Sequence, residues 1–100
     1  MLWVITCNLT PNMEAAREKA GPAHLEYMKA QKGILVLAGS TRSYDGKVVT
    51  GALFVLNVNS YEEAKAFVDG DPYTPAGVFS DIVIIRMNKG QWNPTVAEGA

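Results

Sequence analysis

A chain of 100 residues, 48% hydrophobic and 19% charged, is one domain of ordinary globular composition near the small end of what folds alone. Its net charge of −1 and its scattered lysines and arginines argue against nucleic acid and anionic membrane surfaces as partners. No apolar run approaches the ~20 residues that span a bilayer, and the N-terminus resembles no secretion signal, so we expect a cytoplasmic protein.

Strand-like and helix-like stretches alternate along the chain. The first helical stretch, 13–32, is interrupted at Gly21-Pro22. Because proline is tolerated best in the first turn of a helix, we predict a break there and a second segment from Pro22 to about Gln31. A capping box, with Ser60 three residues before Glu63, predicts a second helix that ends near Val68. The predicted strands are Leu2–Leu9, Ile34–Thr41, Val48–Val58 and Asp81–Met87.

This order of elements, β-α-β-β-α-β, predicts a ferredoxin-like α+β fold, with a four-stranded antiparallel sheet and both helices on one face. The Asp45-Gly46 pair between the second and third strands is typical of a hairpin turn. The first and last strands carry apolar residues at successive positions, so the uncovered sheet face is also apolar. We expect a second copy to cover it in a homodimer. Residues 89–100 lack periodicity and are predicted to be a C-terminal tail or a dimer arm.

The segment Gly70–Val78 combines an acid, two prolines, an aromatic residue and glycines. Proline holds the preceding residue extended, so the Asp71 carboxylate should have a defined direction. The only histidine, His24, lies on the first helix, and we expect the first and last strands to be the two central ones, which favours a meeting of the two residues. If they pair, Asp71 fixes the His24 tautomer and leaves the other ring nitrogen for proton transfer. Otherwise His24 is a satisfied core histidine and Asp71 caps a turn.

Other chemistry has weaker support in the sequence. Cys7 lies in an apolar run without a basic neighbour, which favours a buried small hydrophobe over a nucleophile. The histidine, the cysteine and the separated acids predict no metal site, and Gly39 and Gly46 fit no nucleotide-binding fingerprint. We therefore expect no metal, no cofactor, and acid/base chemistry on a small molecule.

The chain resembles the YCII-like (YciI-related) proteins from its start to about Met87. The resemblance implies a YCII-like domain over residues 1–88 with the dimeric α+β barrel fold, in which His24 and Asp71 form an active-site dyad. It rests on Leu2-Trp3-Val4-Ile5, Pro22-Ala23-His24-Leu25, Ala38-Gly39, Ser60-Tyr61-Glu62-Glu63-Ala64, and Asp71-Pro72-Tyr73 with Ala76-Gly77-Val78.

The resemblance also implies roles for neighbouring residues. The family's arginine seven residues before the histidine falls on Arg17. Its guanidinium would either hold a developing oxyanion or pair with Glu14 or Glu18 on the helix surface. The residues expected to bind the substrate or orient the dyad are Pro72, Tyr73, Gly39 and Ala52.

Three positions depart from the family pattern. Gly21 replaces a second arginine, Asn8-Leu9 replaces an acidic residue, and Gly51-Ala52 replaces a Gly-Ser pair that would supply a hydroxyl donor. The family implies a cofactor-independent lyase or isomerase that acts on a small cyclic or aromatic hydroxy or keto compound, as in the dehydrochlorination of a chlorinated hydroxyquinol. The alternatives are a small-molecule-binding dimer without turnover and a cofactor-free monooxygenase.

Overall fold

Seven elements follow one another in the computed structural model, which describes residues 1–100. The six long ones have the predicted order β-α-β-β-α-β, so the ferredoxin-like α+β fold is confirmed. A short C-terminal helix was not expected. The strands are β1 (Leu2–Leu9), β2 (Leu35–Arg42), β3 (Val49–Asn57) and β4 (Phe79–Met87), and the helices are α1 (Glu14–Ala30), α2 (Tyr61–Gly70) and α3 (Pro94–Glu98).

The four strands form one open antiparallel sheet in the order β2-β3-β1-β4. The expectation that the first and last strands are central is therefore wrong. The β2–β3 hairpin places β3 beside β1, which leaves β4 at an edge. However, β4 pairs directly with β1, with Ile84 opposite Ile5. The loop that contains Asp71 and precedes β4 therefore still lies near α1, which follows β1.

The hydrophobic core lies between the sheet and α2. Ile5 and Phe54 face each other across β1 and β3, and the Phe67 ring of α2 meets Phe54 edge-on with centroids 5.3 Å apart. The capping box forms as predicted, because Ser60 accepts a hydrogen bond from the Glu63 N–H at 3.1 Å. The buried members of the core are Ile5, Cys7, Phe54, Leu56, Val58, Ala64, Phe67 and Val68.

Helix α1 runs without a break through Pro22, so the predicted division at Gly21-Pro22 is wrong. Proline removes the N–H that would bond to the carbonyl four residues earlier, that of Glu18. Both Pro22 and Glu18 are exposed, so water can satisfy this carbonyl and the ring lies on the solvent side. A proline inside a helix is tolerated where its lost hydrogen bond faces water.

Two local features of the hairpin follow from its glycines. Gly46 has a φ of 75° in the turn between β2 and β3, which is a conformation that glycine adopts without strain. At Gly51 a Cβ atom would overlap the carbonyl oxygen of Cys7 on β1. The neighbouring strand β1 therefore approaches the β3 backbone closely at Gly51, where only glycine fits.

The sheet face away from the helices is apolar and open. Leu37, Val83 and Ile85 on this face are 57%, 46% and 53% exposed. Their cross-strand partners Val55, Thr6 and Val4 share the same face. None of the three helices is both long enough and apolar enough to cross a bilayer.

Candidate functional site

A cavity of about 480 Å³ lies between α1 and the β2–β3 half of the sheet. Its α1 side is lined by Arg17, His24, Leu25 and Met28. Its β2–β3 side carries small residues, since Ala38 and Ser40 of β2 face Phe54 and Ala52 of β3. The residues that supply polar groups to its lining are Arg17, His24, Ser40 and Tyr73.

His24 and Asp71 lie in hydrogen-bonding contact beside this cavity. The Nδ1 atom of His24 is 2.9 Å from Oδ1 and 3.0 Å from Oδ2 of Asp71. An ionised carboxylate can only accept, so Nδ1 is the donor and carries the proton. Asp71 is fully buried, whereas the His24 side chain keeps 16% of its surface exposed and lines the cavity. The Nε2 atom is therefore the ring nitrogen available to a ligand.

The carboxylate of Asp71 is aimed by the backbone around it. Asp71 ends α2 in an extended conformation, with φ −67° and ψ 127°, as expected for a residue before proline. The chain then turns at Pro72, so that the N–H of Tyr73 donates to Asp71 Oδ1 at 3.0 Å. Two partners, an imidazole and a backbone amide, hold the carboxylate in place.

The last carbonyls of α2 are satisfied by side chains from elsewhere. The Tyr27 hydroxyl donates to the Phe67 carbonyl at 2.9 Å, and the Thr74 hydroxyl donates to the Val68 carbonyl. A carboxylate at the C-terminal end of a helix dipole is unfavourable. The contacts of Asp71 with His24 and with the loop amide of Tyr73 offset this unfavourable interaction.

Tyr73 forms one side of the histidine pocket. Its ring stacks on His24 with centroids 4.0 Å apart and planes 14° from parallel, and Phe79 meets its other side edge-on at 5.5 Å. Burial raises the pKa of Tyr73 above 10.0, an effect that the charge of Arg17 opposes and that of Asp71 adds to. The Tyr73 hydroxyl thus keeps its proton at neutral pH and can donate.

The structure places most of the other predicted site residues around the same cavity. Arg17, Gly39 and Ala52 line it, whereas Pro72 lies in the loop behind His24 and does not. The Arg17 guanidinium forms no ion pair with Glu14 or Glu18. It lies two helical turns before His24 and so faces the same side of α1.

Ser40 is a cavity residue that the sequence analysis missed. It lies opposite Ala52 in the β2–β3 ladder, so a hydroxyl is present on the neighbouring strand at the level where Ala52 lacks one. Counting back from the Asp45-Gly46 turn would pair Ser40 with Gly51, but an irregularity in the ladder between Thr41 and Arg42 shifts the partner to Ala52, so no sequence signal identifies Ser40.

Cys7 is buried on the sheet beneath this site, as predicted. It is 2% exposed, and burial raises its pKa from 9.0 to about 12, with the charge of Asp71 contributing in the same direction. Cys7 is therefore a thiol at neutral pH and an inert one. No three His, Cys, Asp or Glu side chains lie close enough together to hold a metal ion.

The YCII-related domain family matches residues 1–88 of this chain. The chain belongs to that family. Protein YciI from Escherichia coli and Protein YciI from Shigella flexneri are each 30% identical to this YCII-related protein over 96 residues, which cover 89% of this chain and 98% of each relative.

Solved structures agree with this placement. The chain is similar to 5-chloro-2-hydroxyhydroquinone dehydrochlorinase (TftG) from Burkholderia phenoliruptrix, in complex with 2,5-dihydroxybenzoquinone, at a TM-score of 0.80 and 30% identity, over 90% of this chain and 96% of that one. SnoaB, a cofactor-independent oxygenase from Streptomyces nogalater, is 12% identical at a TM-score of 0.50, over 93% and 95% of the two chains. The likeness to SnoaB shows the fold alone.

Proposed function

We propose that this YCII-related protein is a cofactor-independent acid/base enzyme that moves a proton on a small cyclic or aromatic hydroxy or keto compound. The observation that carries the proposal is the contact of His24 Nδ1 with both oxygens of the buried Asp71 carboxylate. This contact leaves Nε2 as the free ring nitrogen at the wall of a cavity. A histidine whose tautomer is fixed in this way is a general base at one atom.

The proposed reaction begins with proton transfer to His24. Nε2 takes a proton from a carbon or hydroxyl group of the substrate, and Asp71 stabilises the resulting imidazolium. The electron pair left behind moves onto the substrate oxygen. In a lyase that acts on a chlorinated hydroquinol, the imidazolium returns the proton to the ring carbon that bears chlorine, and removal of a second hydroxyl proton by Nε2 then expels chloride, so that one H⁺ and one Cl⁻ leave in total. In an isomerase the imidazolium returns the proton to a different carbon. Both routes balance without a cofactor.

Arg17 and Tyr73 support the charge that develops on the substrate oxygen. The Arg17 guanidinium lines the cavity without an acidic partner, and the protonated Tyr73 hydroxyl is a second donor there. Fixed donors in a largely apolar cavity stabilise an oxyanion more strongly than water does. Tyr73 also restrains the His24 ring by stacking on it.

The cavity is suited to a single ring. Its volume of about 480 Å³ and its 10 hydrophobic lining residues of 15 are typical of small-molecule sites. TftG, to which the chain is similar over most of its length, acts on a hydroxyhydroquinone and was solved with a dihydroxybenzoquinone. A hydroxylated or quinone-like ring is therefore the substrate class that we propose.

We also propose that the protein works as a homodimer through its open sheet face. Leu37, Val83 and Ile85 on this face are about half exposed in the single chain. Contiguous apolar surface of this kind is uncommon on monomers, and a second copy covers it with matching chemistry. Light scattering should give twice the chain mass of 10.8 kDa, and the mass of one chain at micromolar concentration would contradict the dimer.

Chloride release from 5-chloro-2-hydroxyhydroquinone tests the catalytic proposal. The native protein should release chloride under anaerobic conditions, and Asp71→Asn should lower kcat by about 10²–10⁴ because the histidine loses its fixed tautomer. The matched control is Asp69→Asn, which makes the same change in an exposed acid that pairs with Lys65 on α2. Its rate should stay within about twofold of native.

A second measurement separates catalysis from structure. Because the chain has one histidine, its ring ¹⁵N resonances are identified directly, and the neutral ring should carry its proton on Nδ1. An Nε2–H ring would contradict the proposed base. Equal rates for Asp71→Asn and native would contradict the role of Asp71. Ring binding without chloride release would indicate the binding dimer, and dioxygen uptake with a hydroquinone would indicate the monooxygenase.

A further inference from the structure

A second hollow of about 410 Å³ adjoins the histidine cavity, and nothing in the proposed reaction uses it. The two spaces share Leu9, Arg17 and Val49 in their linings, so Arg17 lies at their junction. The second hollow extends from there toward the start of α1 and the β2–β3 turn. Its charged lining residues are Arg17, Lys47 and Glu14.

The two cations of this hollow are free of acidic partners. The ion pairs of the chain join His24 to Asp71, Lys29 to Glu26 and Lys65 to Asp69. Neither Arg17 nor Lys47 takes part in one, although Glu14 lines the same hollow. Two cations and one carboxylate leave the hollow with a net positive charge of one unit.

The position of Lys47 is fixed by the turn that carries it. The Lys47 backbone N–H donates to Asp45 Oδ1 at 3.0 Å, and Ser43 donates its hydroxyl to the same oxygen at 2.7 Å. The turn is closed by the Ser43 N–H, which donates to the Val48 carbonyl at 2.9 Å. Asp45 is thus held by the turn itself and does not line the hollow. These hydrogen bonds hold the Lys47 backbone in place, although its side chain is exposed.

We propose that the substrate ring carries a carboxylate, and that this group lies between Arg17 and Lys47 while the ring occupies the cavity beside His24. This inference rests on the proposed function and deepens it. Arginine presents a planar fork of donors that matches a carboxylate, and lysine adds a point charge from the other side. The net charge of the hollow fits a monoanion. Arg17 at the junction contacts both the acid group and the ring, and Lys47 distinguishes acids from neutral rings.

A matched pair of ligands tests this inference. Titration calorimetry compares 2,5-dihydroxybenzoate with 2,5-dihydroxybenzyl alcohol, which keeps the ring and replaces the carboxylate by a neutral group. The native protein should bind the acid about tenfold more tightly, since two charge-assisted contacts are added. This preference should shrink in high salt, because one of the two cations is exposed.

Two substitutions in the hollow should change the preference in opposite directions. Lys47→Gln should weaken binding of the acid about threefold to fivefold and leave binding of the alcohol unchanged. Glu14→Gln should strengthen binding of the acid by a similar factor, because it removes a like charge. Lys32→Gln is the matched control: it removes the same charge from an exposed lysine outside both hollows and should change neither ligand.

The outcomes separate this inference from the proposed function. Equal affinities for the acid and the alcohol in the native protein would overturn the carboxylate site while leaving the ring site intact. An effect of Lys32→Gln as large as that of Lys47→Gln would overturn the role of Lys47. If neither ring binds, the proposed substrate class fails and the carboxylate inference fails with it.

Discussion

The two long helices lie on the same face of one sheet but pack against it in different ways. Helix α2 has ten residues and buries three of them, Ala64, Phe67 and Val68. Helix α1 has seventeen residues and buries none completely. The difference follows from what each helix faces, because Phe67 of α2 packs on Phe54 in the core whereas His24 and Met28 of α1 line the cavity. The candidate site therefore lies on the less tightly packed side of the molecule, beside α1.

Hydrogen bonds join α1, which borders the cavity, to α2, which is packed in the core. Tyr27 of α1 donates to the Phe67 carbonyl of α2, and His24 of α1 contacts Asp71 at the end of α2. The well-packed half of the molecule thus supplies the rigid support for groups that face the hollow half. The proposed acid/base function would gain from such support, because the geometry of the pair must hold while the cavity fills and empties.

Truncating one large side chain on each helix tests this difference most strongly. Phe67→Ala should lower the free energy of unfolding by about 3–5 kcal/mol, because it opens a void in a packed core. Met28→Ala on α1 should cost only about 1 kcal/mol, since Met28 is half-buried and already borders a cavity. Urea unfolding of both variants at neutral pH measures the two values. Equal losses would show that α1 is packed as firmly as α2.

A glycine in each helix gives a second matched pair with smaller effects. At Gly70 an added Cβ would lie 2.6 Å from the Tyr27 hydroxyl, so Gly70→Ala must displace that ring and lose its bond to Phe67. We expect a loss of about 1–3 kcal/mol. At Gly21 the added Cβ would lie 3.6 Å from the Tyr73 hydroxyl, an ordinary contact.

The two substitutions should therefore change the free energy of unfolding in opposite directions. Gly21→Ala should stabilise the chain by about 0.5–1 kcal/mol, because alanine favours a helix interior over glycine. Thermal unfolding of both variants gives the comparison, and the native protein is the reference. A destabilised Gly21→Ala would mean that α1 has less space above the cavity than the structure shows.

The sequence predicts the fold better than it predicts the place of each strand. Hydrophobic pattern, the Ser60 capping box and the Asp45-Gly46 turn indicate the elements and their order, because each of these signals is local. Strand order is set by pairing between distant segments, so β4 was wrongly expected at the centre of the sheet. The break at Pro22 was wrong for a related reason. Whether a proline ends a helix depends on which side of the helix meets water.

The candidate site was predictable where one residue type is rare and unpredictable where it depends on register. A single histidine and a proline-fixed Asp71 left few other pairings, and the structure brings them together. Ser40 and Lys47 carried no signal of their own, since serine and lysine are common on surfaces. Their positions at the cavity and the hollow come from the β2–β3 register and turn, which only the folded chain makes apparent.

The buried thiol of Cys7 predicts how the stability of the chain depends on pH. Burial raises the pKa of Cys7 from 9.0 to about 12 in the folded chain. At a pH between 9.0 and about 12, the Cys7 thiol is deprotonated in the unfolded chain and still protonated in the folded chain. The unfolded state then binds fewer protons, so the free energy of unfolding should fall as pH rises above 9, by up to about 1.4 kcal/mol per pH unit. Below pH 9 this contribution is fully present and constant.

Cys7→Ala isolates this contribution from other groups that titrate in the same range. The pKa of Tyr27 is also raised by burial, so the native chain alone would not identify the thiol. Urea unfolding of native and Cys7→Ala chains between pH 7 and pH 10.5 gives the difference between them at each pH. That difference should be flat to about pH 9 and should then shrink, because only the native chain has a buried thiol to protect. If the difference in unfolding free energy stays constant up to pH 10.5, water reaches Cys7 from the cavity. The tightly packed core would then not include Cys7 on β1.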